Sequence, residues 1–200
     1  YAFAFQILCD FSGYSDIARG LARWMGVELM LNFNNPYAAL NPKDFWSRWH
    51  ISLSSWLRDY LYIPLGGNRK GRLGGLWHGA AWTFVTWGAF HGLLLVIYHR
   101  WAEKFSPKGT PDSGRWLRLR RLWMFHLACA GWLFFRANSL GQVGDMVRSL
   151  TTNFSWNTDA ANMLMAILIY CTPLWLVQWL QVKTGNLSAP MELSFLPKAA

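Results

Sequence analysis

Acidic residues are scarce in this chain of 200 residues, which has 10 Asp and Glu against 19 Lys and Arg and a net charge of +9. Charged residues of both signs make up only 14% of the chain, whereas about 25% is typical of soluble domains. In a soluble protein the positive excess would suggest a nucleic-acid partner. Here the basic residues flank apolar stretches, as they do on the cytoplasmic side of membrane proteins, so we expect no nucleic-acid partner.

Cysteine is also rare, and several catalytic motifs are missing. The three cysteines, Cys9, Cys129 and Cys171, form no C-x-x-C pair and lie in or beside apolar runs. We interpret them as buried hydrophobic residues rather than disulfide partners or metal ligands. The chain has no H-E-x-x-H, G-x-S-x-G or Walker A sequence. Its histidines lack close metal-ligand spacing, so zinc-protease and serine-hydrolase chemistry are excluded and we expect no metal site.

Apolar and aromatic residues are abundant: 53% of the chain is hydrophobic and 14 residues are tryptophan, which favours membrane–water interfaces. Three apolar runs predict membrane spans, the last of them broken by Pro173. They are Leu76–Tyr98, Leu122–Phe135 and Ala161–Val182. The basic segment His99–Arg121 is then an inner loop, and the polar segment Ala137–Ala160 an outer one. We predict an all-α, polytopic membrane protein, a bundle of transmembrane and re-entrant or interfacial helices.

The N-terminal part predicts two further segments separated by a polar break at residues 10–16. Tyr1–Cys9 is typical of the end of a membrane helix, and Ile17–Leu31 is an amphipathic segment that lies at the interface or re-enters. The first residue is not methionine and lies inside an apolar run. We therefore expect earlier spans to be missing and the chain to be a fragment.

A helix with a clear start is predicted from Asn41 to about Leu61, because Asn41 can cap it and Pro42 suits its first position. At 100° per residue, four polar side chains share one narrow band beside an aromatic face, and such a band can line a polar cavity. The alternative is an interfacial helix whose polar stripe simply contacts water. The four residues are Ser47, His50, Ser54 and Arg58.

His78 lies near the start of the apolar run Leu76–Tyr98, where burial favours the neutral imidazole that can accept a proton as a general base. The alternative is a core histidine bonded to a backbone carbonyl, but inside a membrane span a functional role is the better expectation. His91 is 13 residues further on and would face nearly the opposite way. We interpret His91 as a packing or hydrogen-bonding residue.

Five stretches between Asp10 and Ala137 closely resemble the membrane-bound O-acyltransferase family, and within it the alginate O-acetyltransferase branch. They are DFSGYSDIARGLA, NFNNPY, DFWSRWHISLSSWLRDYLYIPLGGNRKG, GGLWHGAAWTFVTWGAFHGLLL and GWLFFRA. The resemblance implies a single partial family domain over residues 1–200, with 10–137 carrying the motifs and 138–200 the outer loop and a further span. One difference from the family pattern is that GGNRKG and GGLWHG are joined almost directly, so that His78 follows His50 at a distance of only 28 positions.

The resemblance implies transfer of an acyl group, most simply acetyl, to hydroxyls of an exported polysaccharide such as alginate. It makes His78 the catalytic residue and His50 a second polar site residue, with Ser54 and Arg58 as weaker candidates for a substrate tunnel. The acyl donor, acetyl-CoA or another acyl carrier, would be a substrate, with no bound cofactor. Its partners would be the bilayer and the polysaccharide or a periplasmic acetyl-transfer protein, and its location the bacterial inner membrane, crossed several times. Two alternatives remain: D-alanyl transfer to teichoic acids by a related branch, and a non-catalytic membrane scaffold or transporter.

Overall fold

The computed structural model describes residues 1–62, 81–105, 114–152 and 155–185. Within these ranges every regular element is helical and there is no strand, which confirms the all-α prediction. The α-helices described are α1 (Ala2–Trp24), α2 (Pro42–Trp46), α3 (Ile51–Trp56), α4 (Trp82–Phe105), α5 (Gly114–Arg136), α6 (Leu140–Thr152) and α7 (Thr158–Thr184). A short 3₁₀ helix covers Pro36–Ala38, and a π-helical turn, Leu57–Tyr62, follows α3.

The chain divides after Asn153 into two compact units. In the first unit, α4 packs against α5, and α5 also contacts α6 and the 3₁₀ helix. The prediction of a single family domain over residues 1–200 stays a prediction. In the described part of the second unit, α7 begins at an Asn157 cap whose Oδ1 accepts from the Ala160 N–H at 2.9 Å.

The predicted polar break at residues 10–16 is wrong, because α1 runs through it without interruption. Its charged residues lie on the exposed side of the helix, where Asp16 and Arg19 form an ion pair at 3.0 Å, one turn apart. The helix ends near Trp24, and the left-handed Gly26 (φ 76°) follows it. The predicted amphipathic segment Ile17–Leu31 is therefore helical only in its first half.

The predicted loop Ala137–Ala160 contains a helix, α6, which the sequence signals with a cap. The Ser139 hydroxyl accepts from the Gln142 N–H at 3.1 Å, and the Gln142 side chain accepts from the Asn138 N–H at 2.7 Å. Such reciprocal bonds satisfy backbone donors that the first helical turn leaves without partners. The predicted loop His99–Arg121 is also partly helical, because α4 extends to Phe105 and α5 begins at Gly114.

In the described part of the chain, α7 is the one helix long and apolar enough to cross a membrane, which agrees with the predicted span Ala161–Val182. Pro173 lies inside α7 without ending it, so the predicted break is wrong. Proline removes one backbone donor, and a helix tolerates this when its other backbone bonds remain. Of the two other predicted spans, Leu122–Phe135 lies within α5, and the described part of Leu76–Tyr98 lies in α4.

Candidate functional site

The prediction of one continuous helix from Asn41 to Leu61 is wrong, because the helix is interrupted, but the predicted start at Asn41 is confirmed. Asn41 Oδ1 accepts from the Asp44 N–H at 2.8 Å, and the Asp44 carboxylate accepts from the Leu40 N–H at 2.9 Å. Arg48 Nε also donates to that carboxylate at 2.6 Å. The helix nevertheless stops at Trp46, and a second one, α3, begins at Ile51.

The break includes His50, whose backbone is left-handed, with φ 43° and ψ 58°. The segment before α2 imposes this conformation through backbone bonds on either side of the histidine. The Ile51 N–H donates to the Asn32 carbonyl at 3.0 Å, and the Asn34 N–H donates to the Arg48 carbonyl at 3.0 Å. A left-handed residue with a side chain costs free energy, and such strain clusters at functional sites.

The same segment and α1 enclose the His50 ring. Phe11 of α1 meets it edge-on with ring centroids 4.7 Å apart, and Phe33 lies 6.4 Å away in a nearly parallel plane. The residue is half-buried, and its Nδ1 atom is shielded from solvent. A histidine fixed in backbone and ring orientation is suited to holding or polarising a group in one place.

The other members of the predicted polar stripe do not continue one helical face with His50. The wheel assumed 100° per residue throughout, but the chain breaks before Ile51 and becomes a π-helical turn from Leu57. The Ser54 hydroxyl donates to the Trp49 carbonyl at 3.1 Å. Arg58 is exposed and pairs with Asp59 at 2.7 Å. Their role as tunnel-lining residues stays a prediction.

His78, the predicted catalytic base, lies outside the described residues, as does the whole junction between GGNRKG and GGLWHG. Its chemical role and its position relative to His50 therefore stay predictions. Among the described residues, no three His, Cys, Asp or Glu side chains are grouped so that they could hold a metal ion. The prediction that all three cysteines are buried is wrong for Cys9, which is exposed; Cys129 is half-buried, and Cys171 is buried as predicted.

His91 is the most buried histidine described, with 4% of its surface exposed. Its ring lies parallel to Phe45 at 6.1 Å, and Trp46, Trp87 and Phe90 meet it edge-on at 5.0–5.3 Å. No described residue is a hydrogen-bond partner of its Nδ1. The structure supports the packing interpretation of His91, and shows no hydrogen bond at Nδ1.

A continuous series of aromatic rings connects the surroundings of His50 with those of His91. The buried Trp49 ring lies 5.0 Å from Phe33 and 5.9 Å from Phe45, measured between ring centroids. Trp49 also lies 4.8 Å from Trp132 of α5. Because close-packed rings transmit displacements, the position of the His50 loop depends on how α4 and α5 pack.

Tyr37 is a positioning residue that the sequence reasoning missed. Its hydroxyl donates to the Ala4 carbonyl at 2.6 Å and accepts from Trp132 Nε1 at 3.1 Å, so it joins α1, the 3₁₀ helix and α5. Burial raises the pKa of the Tyr37 phenol well above its usual range. The asparagine-rich NFNNPY stretch could have indicated a tight turn that orients Tyr37, since asparagine tolerates left-handed backbone. In the structure Asn35 adopts that conformation just before Pro36.

Comparison with known proteins gives a family match. The family model for membrane-bound O-acyltransferases matches residues 1–140. Probable alginate O-acetylase AlgI from Pseudomonas fluorescens is 43% identical over 173 residues, 80% of this chain and 34% of the relative. Peptidoglycan O-acetyltransferase from Helicobacter pylori is 38% identical over 86% of this chain and 37% of its own length.

A more distant relative is teichoic acid D-alanyltransferase from Bacillus subtilis, 32% identical over 68% of this chain and 39% of its own length. This chain thus spans about a third of the length of the curated relatives it matches. The matched family region, residues 1–140, includes His50, His78 and His91. It also includes the rings around His50 and His91.

Proposed function

This chain belongs to the membrane-bound O-acyltransferase family, and from that premise we propose that it takes part in O-acyl transfer at a bacterial membrane. The observation that carries the proposal is the family match over residues 1–140, which contains both candidate histidines. The structure adds support at His50, whose strained backbone and ring contacts hold the imidazole in one orientation. We further propose that the whole protein crosses the bacterial inner membrane several times, with α7 as one span.

The proposed chemistry starts from an acyl donor, acetyl-CoA or another acyl carrier, that enters from the cytoplasmic side. His78 takes the proton of the acceptor hydroxyl while the hydroxyl oxygen forms a bond to the acyl carbonyl carbon. The bond between that carbon and the donor breaks, and the proton leaves with the donor group. His50 orients or polarises a reactant, and this requires no bound metal or cofactor.

The proposed acceptor is an exported polysaccharide, or a periplasmic protein that passes the acetyl group to one. Relatives named for alginate and peptidoglycan O-acetylation are 43% and 38% identical and cover 80% and 86% of this chain. D-Alanyl transfer is the second candidate, since a relative named for it is 32% identical over 68% of the chain. Higher identity over more of the chain favours acetyl transfer.

Substitution of the two histidines in the full-length gene product tests the proposal. General-base help is worth about 10²–10⁴-fold in rate, so we expect His78→Ala to lose most transfer of a labelled acetyl group. His50→Ala should also lower the rate, whereas His99→Ala, at an exposed position of α4, serves as the matched control. A folded His78→Ala protein with nearly normal transfer would show that His78 is not the base.

The same assay separates the alternatives. Transfer of D-alanine from its carrier without transfer of acetyl would assign the protein the function of the teichoic-acid branch. A scaffold would tolerate both histidine substitutions without loss of polysaccharide acetylation in cells, yet would fail when its assembly with partners is disrupted.

A further inference from the structure

A groove of about 330 Å³ lies between the end of α4, the start of α5 and the turn before α2. Its α5 side is one helical face, since the contributing residues recur three or four positions apart from Trp116 to Leu127. This volume is at the lower end of the range for small-ligand sites. The lining residues used below are Trp101, Trp116, Arg120, Trp123, Met124 and Leu127.

The lining changes in character along α5. Trp116 and Arg120 lie towards the N-terminal end, and the Arg120 guanidinium carbon is 5.7 Å from the centre of the Trp116 ring. Met124 and Leu127 make the other end apolar. A ligand that follows this groove therefore meets a cation at one end and hydrocarbon at the other.

The charged side chains of α5 itself are all positive. Exposed Arg115, Arg118 and Arg121 flank Arg120 on α5, and this helix contains no Asp or Glu from Gly114 to Arg136. The Arg118 Nε donates to the Gly114 carbonyl at 3.2 Å. Several guanidinium groups on one helix attract a phosphate, which they can bind with paired N–H donors.

Three tryptophans border the groove with much of their surface exposed: Trp101, Trp116 and Trp123, the last of them 69% exposed. Exposed tryptophans beside arginines are typical of the headgroup level of a bilayer, where the indole ring is apolar and its N–H is wet. Basic pockets between helices at that level bind anionic headgroups.

We propose that this groove binds one anionic phospholipid, with its phosphate at Arg120 and the start of an acyl chain along Leu127. The aromatic rings enclose the glycerol region, and the neighbouring arginines add long-range attraction. This inference is independent of the transfer chemistry, because none of the groove residues is a proposed site residue.

The test uses the full-length gene product, purified in detergent and depleted of lipid, and measures its Tm with added phosphatidylglycerol or phosphatidylcholine. A ligand that binds only the folded protein raises Tm with its concentration. We expect phosphatidylglycerol to stabilise the wild type more than phosphatidylcholine. Arg120→Gln should weaken the phosphatidylglycerol effect about tenfold in apparent affinity, since a charge-assisted bond to phosphate is lost.

Arg148→Gln is the matched control, because Arg148 is an exposed arginine on α6 outside the groove, and it should bind as the wild type does. Arg120→Lys keeps the charge but loses the paired donors, so it should bind several-fold more weakly than the wild type while preserving the lipid preference. If Arg120→Gln does not fold, the affinity of Arg120→Lys for phosphatidylglycerol tests the phosphate contact instead.

Four results would overturn the proposal. They are equal stabilisation by the two lipids, unchanged affinity in Arg120→Gln, unchanged affinity in Arg120→Lys, and displacement of phosphatidylglycerol by coenzyme A or inorganic phosphate. Displacement would assign the phosphate site to a soluble ligand. A wild-type protein that neither lipid stabilises is a case of the first result and overturns the proposal in the same way.

Discussion

The His91 imidazole lies so close to Gly131 that a Cβ atom built on the glycine would be 2.5 Å from Nε2. The absence of a side chain at Gly131 is therefore what lets the ring occupy the space between α4 and α5. Four aromatic rings surround His91, and one of them, Phe45, also contacts Trp49, the residue before His50.

Gly131→Ala should destabilise the protein by about 1–3 kcal/mol, because the ring or one helix must shift to admit the methyl group. The measurement is thermal unfolding of the full-length gene product in detergent. Gly92→Ala is the matched control: Gly92 is also helical, but nothing lies within 4 Å of its added Cβ. There alanine should be neutral or stabilising by up to about 1 kcal/mol. Equal effects at the two glycines would contradict the close contact.

Tyr37→Phe should lower the free energy of unfolding by about 1–3 kcal/mol. It removes the bond to the Ala4 carbonyl and leaves the Trp132 indole N–H without its acceptor in a buried place. Tyr14→Phe is the control, since Tyr14 is exposed on α1, and it should change stability little. A comparable loss in both variants would argue against the Tyr37 bonds as the cause.

Alkaline pH should destabilise the wild type through Tyr37. Burial raises the pKa of its phenol in the folded protein above the value of about 10 in the unfolded chain. The unfolded chain therefore releases this proton first, and the contribution of Tyr37 to stability, complete below pH about 10, decreases as pH rises further. Denaturant unfolding of wild type and Tyr37→Phe between pH 8 and about 11 measures the difference. Parallel pH profiles would refute a raised pKa at Tyr37.

The left-handed backbone of His50 predicts that variants at this position differ in stability according to how well the new residue tolerates positive φ. Asparagine tolerates φ 43° better than a β-branched residue, so His50→Val should be less stable than His50→Asn by about 1–2 kcal/mol. The same pair at Ser47, an exposed residue with right-handed backbone, should differ much less. Thermal unfolding of the four variants provides the comparison, and equal gaps at the two positions would rule out backbone strain at His50.

The sequence by itself determined the helical class, the Asn41 cap, the apolar helix near residues 158–184 and the family, because these depend on local composition, capping residues and long motifs. It did not determine where helices stop. The charged residues of 10–16, Asp10 and Asp16, are exposed and leave α1 uninterrupted. The helical pattern around His50 is interrupted because Asn32 and Asn34 bond to the chain on either side of it.

Only the tertiary structure brought Tyr37 to Trp132, 95 residues apart, and His91 to Gly131. Periodicity reports which face of one helix is apolar, but it contains no information on which residue of another helix fills the space opposite. Close packing makes that choice, since a ring of given shape fits only where its neighbour is small enough.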